Sequence, residues 1–277
     1  MQTVAIGNST ISGHRRNLSK LVSEIKARPF DFLPERSVDC LHQFFSGYEV
    51  FGPQLWRDLA GFKTWLRTRL FYPEDSGASW DRFIKLNAKD SFDGYQLFLR
   101  LYSKYSLSHP TDSHTLVEDC SRSPAGFDFH SHLYSIGRRP GFYLGSSVSV
   151  HSLASYLAGY FKGKIESGYR LTSDEKQFLR FEKWLRRRHR FADPYPWWRI
   201  VEMWSASDSL EGFFDEYDTY LTKYWTEPKG LEDLFEVVKT SSRTIVERRP
   251  KSMLPKTLVQ MPETKRPWRG YNPGLGT

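Results

Sequence analysis

Apolar residues recur along much of this chain at the spacing of an α-helix turned toward a core. Leu41, Phe44, Phe45 and Tyr48 follow the i, i+3, i+4, i+7 rule, and Ser37 stands where a helix N-cap belongs. Leu55, Leu59, Phe62, Leu66 and Arg69 lie near one stripe of a second helix over residues 55–71, which stops at Tyr72 and Pro73. Trp80–Leu86 and Phe92–Tyr105 supply a third and a fourth. A connector at residues 106–138, rich in Ser, His, Asp and Pro, has little period. The helical spacing then resumes. One helix starts at Ser149 or Ser152; the next starts at Thr172, with Asp174 and Glu175 in its first turn, and runs to about Arg190. Trp198–Trp204, Ser209–Tyr224 and Leu231–Val246 complete the series, and Leu21–Ala27 forms a short helix ahead of Arg28 and Pro29. The expected fold class is mainly α.

The two series repeat one order of landmarks. RPFDFLP, LHQFFSGY and FKTWLRTRL at residues 28–70 face RPGFYLG, LASYLAGY and FEKWLRRRH at residues 139–189. Trp80 with Arg82, Phe83 and Ile84 faces Trp197 with Arg199, Ile200 and Val201, and Asp90–Tyr95 faces Asp208–Phe213. Offsets drift only from 111 to 119 residues, so insertions between the landmarks are small. Each copy, at roughly 80 residues, has the size of a small domain and exceeds any solenoid repeat. The pattern predicts two duplicated helical lobes with a pseudo-twofold relation. The expected division is an N-terminal arm at 1–26, lobe 1 at 27–106, a linker at 107–137, lobe 2 with an extra helix at 138–248, and a disordered basic tail at 249–277.

Composition refines this picture. Net charge is +8, which by itself points to a nucleic-acid partner. Its distribution weakens that inference: residues 1–239 hold 32 Lys and Arg against 30 Asp and Glu, and residues 240–277 hold eight against two. A nearly neutral body therefore carries a basic tail. Only two cysteines occur, Cys40 and Cys120, and neither belongs to a CxxC pair, so neither a disulfide framework nor a structural zinc site is expected. There is no apolar run of membrane-spanning length and no export-signal pattern in the first 20 residues; the expected location is cytoplasmic, with no membrane partner.

Candidate chemistry is sparse. RPGFYLG resembles the RPGMYIG stretch of type II topoisomerase ATPase domains, but the magnesium-holding helix and Gly-rich lid that such a site needs do not follow it; a tight turn leading into a helix accounts for the motif. Asp128, His130 and His132 would converge on a metal if they lay on a strand, yet no further ligand motif joins them, and polar linker histidines explain them as well. No GxSxG, P-loop or HExxH motif is present, so no catalytic residue, metal ligand or cofactor is expected. The basic run Arg186, Arg187, Arg188 and Arg190 closes a helix, where it either complements the helix dipole or contacts phosphates. The acids Glu211, Asp215, Glu216 and Asp218 are candidates to face a basic partner. The recurring pairs Tyr48 and Tyr160, Trp65 and Trp184, and Trp80 and Trp197 read as core anchors.

Across RPGFYLG, LASYLAGY, FEKWLRRRH, the following Trp and the acidic, aromatic helix Leu210–Leu221, about 85 residues resemble a group of small bacterial proteins with an RPGMYxG, FLxGY and FxxWL pattern. Such proteins look like the immunity partners encoded beside polymorphic toxins of contact-dependent and Rhs-type systems. The resemblance implies a non-enzymatic protein that neutralises a cognate toxin domain by occluding its active site or an essential surface. The alternative is a nucleic-acid-binding module that uses Arg186–Arg190 and the basic tail.

Overall fold

Several of the helices begin at a side chain that satisfies an orphan backbone N–H group. The computed structural model describes residues 18–51, 53–109, 128–205 and 208–226. Among the described residues there are eleven α-helices and no strand: α1 Leu18–Ala27, α2 Val38–Glu49, α3 Pro53–Arg69, α4 Trp80–Leu86, α5 Ser91–Ser108, α6 Phe129–Arg138, α7 Pro140–Leu144, α8 Val150–Glu166, α9 Ser173–Arg188, α10 Trp197–Trp204 and α11 Ser209–Thr226. Ser37 Oγ accepts the Cys40 N–H at 3.0 Å, Asp90 that of Asp93 at 2.8 Å, and Ser149 that of Ser152 at 3.1 Å. Thr172 and Glu175 close a reciprocal capping box at the start of α9.

Two expected boundaries are corrected. The arm at 1–26 is not wholly an arm, since α1 starts at Leu18 and buries Leu18, Leu21, Val22 and Ile25 in the first hydrophobic cluster. The linker at 107–137 is cut from both ends. Helix α5 runs on to Ser108, and α6 buries Phe129, Leu133 and Ile136 in the second cluster. Asp128 caps α6 by accepting the His130 N–H at 2.9 Å, so the stretch read as a possible strand is helical. The expected helix Leu231–Val246 and the basic tail lie outside the described residues, as do residues 1–17 and 110–127.

Two aromatic cores result, one under α1 to α5 and one under α6 to α11. The most extensive contact between elements is that of α2 with α8, which join the two cores. Its geometry is reciprocal. A Cβ placed on Gly47 would lie 1.9 Å from the Tyr156 carbonyl oxygen, and one placed on Gly159 would lie 1.9 Å from the Phe44 carbonyl oxygen. Glycine is the residue that permits such close backbone approach. Around this crossing the Tyr48 hydroxyl donates to Glu166 at 2.7 Å, the Ser167 hydroxyl donates to the Phe51 carbonyl at 2.7 Å, and Phe51 itself packs on Tyr160 in the second core.

Helices α3 and α9 end alike. The Tyr72 N–H reaches the Arg67 carbonyl and the Phe71 N–H that of Thr68, while Phe191 reaches Arg186 and Arg190 reaches Arg187. Both ends are Schellman turns, which place one residue in the left-handed region; here these are Phe71 at φ 60° and Arg190 at φ 57°, not glycines. Because Phe71 is 94% exposed, Phe71→Gly should lose no burial and relieve the strain, raising stability by about 1 kcal/mol in urea denaturation. A lower midpoint would mean that the aromatic ring supports the fold.

Candidate functional site

Of the basic and acidic residues singled out in the sequence, Arg188 and Glu216 are brought together. Arg186, Arg187 and Arg188 form the last turn of α9, where positive charge complements the helix dipole, and Arg190 follows in the left-handed turn. Glu211, Asp215, Glu216 and Asp218 lie on α11. Arg188 Nε stands 2.9 Å from Glu216, its guanidinium lies over the Trp184 ring, and Arg186 pairs with Glu182. His189 adds a contact of 3.3 Å to Glu216, and its ring packs against that of Trp204, which is 60% exposed. Burial outweighs Glu216 and holds the imidazole below its ordinary range. Two residues expected to serve rival functions, Glu216 and Arg188, therefore partner each other. Around this pair, charge is mixed and Trp184 and Trp204 pack beside it.

The Asp128, His130 and His132 group does not converge. On a helix, positions i and i+2 point away from each other. His130 Nδ1 lies 3.0 Å from the Tyr217 hydroxyl, and His132 Nε2 lies 2.9 Å from that of Tyr156. Burial pushes the His132 imidazole down to about 4, so it packs as a neutral ring. Among the described residues no group of three or more His, Cys, Asp or Glu is arranged to hold a metal ion.

A second place was not singled out in the sequence. A cavity of about 250 Å³ opens between α2, α3 and α4, lined by the apolar Phe45 and Leu59, the Trp80 ring, and the polar His42, Glu49 and Lys63. The signal was present as His42, Ser46 and Glu49, an i, i+4, i+7 polar stripe beside the apolar stripe of α2. His42 is held from both sides: Gln43 Nε2 lies 3.2 Å from its Nδ1, and Asp81 lies 3.5 Å from its Nε2. That arrangement fits a neutral ring with the proton on Nε2, and burial holds His42 below its ordinary range despite Asp81. Asp81 is buried, which works against its ionisation, yet its neighbours, Lys85 at 3.3 Å and the Ser79 hydroxyl among them, keep it below the usual carboxylate range. Lys85 also pairs with Asp39 at 2.6 Å.

The charges around His42 thus answer one another, whereas no ion pair among the described residues joins Glu49 and Lys63, which both line the cavity. Glu49 has no ion-pair or hydrogen-bond partner among the described residues, and burial pushes its carboxyl up to about 7. Nothing here assembles a nucleophile: the Ser46 hydroxyl donates to the His42 carbonyl and the Ser79 hydroxyl to Asp81, so neither turns toward the His42 ring. No protein-family model matches the chain, no curated protein matches it, and no solved structure matches it.

Proposed function

We propose that this chain is an immunity-type protein that binds a cognate toxin domain and blocks its active site or an essential surface. The observation that carries the proposal furthest is Phe71, an aromatic side chain held 94% exposed on a backbone turn where glycine would sit with less strain. Local strain retained at an exposed aromatic points to a contact made by that ring, and aromatic anchors dominate interfaces. Phe142, 80% exposed on α7, and Trp204 on α10 offer similar anchors. The sequence resemblance supplies the partner class, and the protein works in this reading as a cytoplasmic binder without catalysis or cofactor. We further propose that its halves descend by duplication from one helical unit, with the α2–α8 crossing as a pseudo-twofold contact; the repeated landmarks and the reciprocal glycines support this.

The nucleic-acid alternative has less support. Two of its four arginines, Arg186 and Arg188, already hold carboxylates, and the basic tail lies outside the described residues. Counterion release would make such binding fall steeply with salt, by a log–log slope near 0.9 per phosphate contacted. Aromatic contacts predict only a modest salt dependence.

The test is co-expression with the C-terminal domain of the protein encoded by the adjacent gene. Growth should be rescued, the two should co-purify, and Phe71→Ala should weaken capture about tenfold or more while leaving the fold intact. A toxic neighbour that this protein neither neutralises nor binds would defeat the reading.

A further inference from the structure

The cavity between α2, α3 and α4 has the chemistry of a recognition pocket. The charges around His42, one of its lining residues, are already answered: His42 is neutral and tied to Gln43 and Asp81, while Asp81 and Asp39 share Lys85. Glu49 is the acid left over, lining the cavity beside the Trp80 ring. A partly buried carboxylate without a partner is costly to a fold and contributes nothing to it. A cation entering the cavity would supply the missing partner, and Trp80, buried against His42, Phe45 and Phe98, forms an aromatic part of the cavity wall. Lys63 also lines the cavity, and no ion pair joins it to Glu49 among the described residues. A volume of about 250 Å³ admits one long side chain and little more.

We propose that this pocket recognises a basic side chain, lysine or arginine, presented by a partner protein, with Glu49 as the acceptor and Trp80 in the wall that its aliphatic stem packs against. The inference rests on the partner-binding reading and names the anchor that such a partner would insert. Anchors of this kind sit in desolvated pockets and carry much of an interface's affinity. In the empty pocket Glu49 is poised to lose its proton near neutrality, so entry of a cation is coupled to proton release. Besides Glu49 the cavity is lined by Lys63 on α3 and by His42 on α2, and His42 contacts Asp81, which pairs with Lys85. His42 on α2 titrates below its ordinary range, Asp81 on α4 lies below the usual carboxylate range, and Lys85 on α4 is held above its own by Asp39 and Asp81 despite burial.

The experiment titrates the intact protein with N-acetyl-lysine amide and N-acetyl-arginine amide, with N-acetyl-glutamate amide as control, following amide and indole N–H shifts by NMR. The basic probes should shift signals of residues 42–49, 59–63 and 79–80, and their affinity should rise by up to about tenfold between pH 6 and pH 8 as Glu49 ionises. Glu49→Gln should weaken them about tenfold. It should also unfold no earlier than the parent, because it removes an unpaired acid, so that lost binding is not lost structure. Absence of localised shifts up to about 100 mM probe, equal binding by Glu49→Gln, or preference for the acidic probe would each overturn the proposal. In the co-expression assay, Glu49→Gln should weaken toxin capture, and unchanged capture would show that the pocket is not the anchor. If no toxin is captured by the parent while the basic probes still bind here, the immunity reading falls and the pocket's preference for a basic side chain stands.

Discussion

Gly47→Ala and Gly159→Ala should each destabilise the protein by about 3 kcal/mol or more, and the double variant should cost clearly less than the sum. The obstruction in both cases is backbone. The new methyl on residue 47 would lie 1.9 Å from the Tyr156 oxygen, 2.8 Å from its carbonyl carbon and 2.9 Å from the Tyr160 nitrogen. The methyl on residue 159 meets Phe44 and Tyr48 at the same three distances. A flexible side-chain tip would swing aside, but two helix backbones must move apart as bodies, and they are fastened by the packing of two cores. The helix preference for alanine over glycine returns only about 1 kcal/mol. Since both glycines face one crossing, a separation that admits one methyl has already made most of the room for the other. Gly141→Ala is the control, because a Cβ there meets nothing within 4 Å. Urea midpoints of the parent, both single variants, the double variant and the control give the coupling energy directly. Single variants within about 1 kcal/mol of the parent would sink the argument, and strict additivity would show that the two glycines do not share one contact.

The same crossing shows how far the sequence could be read. LHQFFSGY and LASYLAGY were legible as capped helices with a common pattern, and their glycines were visible landmarks. What the glycines do was not legible, because a glycine inside a helix looks only like a local cost until another backbone is brought against it. Helices that carry both a cap and a long apolar stripe, such as α2, α5 and α9, were found close to their true ends. Helix α6 was missed although Phe129, Leu133 and Ile136 follow the helical spacing, since its short apolar stripe sits among Ser and His that resemble a linker. Helix α1 was half found for a similar reason, its first turn being hidden in a polar approach. Tyr48, Tyr160 and Trp80 are core anchors as read; Trp65, Trp184 and Trp197 are only partly buried at the edges of the cores. The pairing of Arg188 with Glu216 and the solitude of Glu49 depend on which helices become neighbours, which no spacing within one helix reveals.

Lys164→Met and Glu175→Gln should each lower stability by about 3–5 kcal/mol, and combining them should restore a large part of the loss. Glu175 is fully buried and accepts four hydrogen bonds: two from Lys164 Nζ at 2.5 and 2.7 Å, one from the Thr172 N–H at 2.6 Å, and one from the Tyr160 hydroxyl. Lys164, itself buried, also lies over the Phe51 ring, so the pair is set close to where the two cores meet. Removing the lysine leaves a carboxylate without its cation, and neutralising the acid leaves an ammonium without its anion; each stranded charge costs more than the pair was worth. In the double variant no charge is stranded, and the glutamine can still accept from Tyr160 and Thr172. The pH dependence separates this account from a simple packing defect. Burial works against ionisation of Glu175, but its hydrogen bonds, with Lys164 foremost, outweigh it and hold the carboxyl below the usual range. A carboxyl lowered by folding adds stability above its unfolded value near 4.3, and that stability is lost as pH falls through the folded value. The parent should therefore lose this contribution only on the acid side of about pH 4. In Lys164→Met the sign reverses: without the cation the buried acid takes up a proton more readily, so the deficit against the parent should be largest near pH 8 and shrink toward pH 4.5. Denaturant curves for all four proteins at three pH values between these limits measure it, and a deficit that stays constant with pH would show that Lys164 acts by filling space and not by charge.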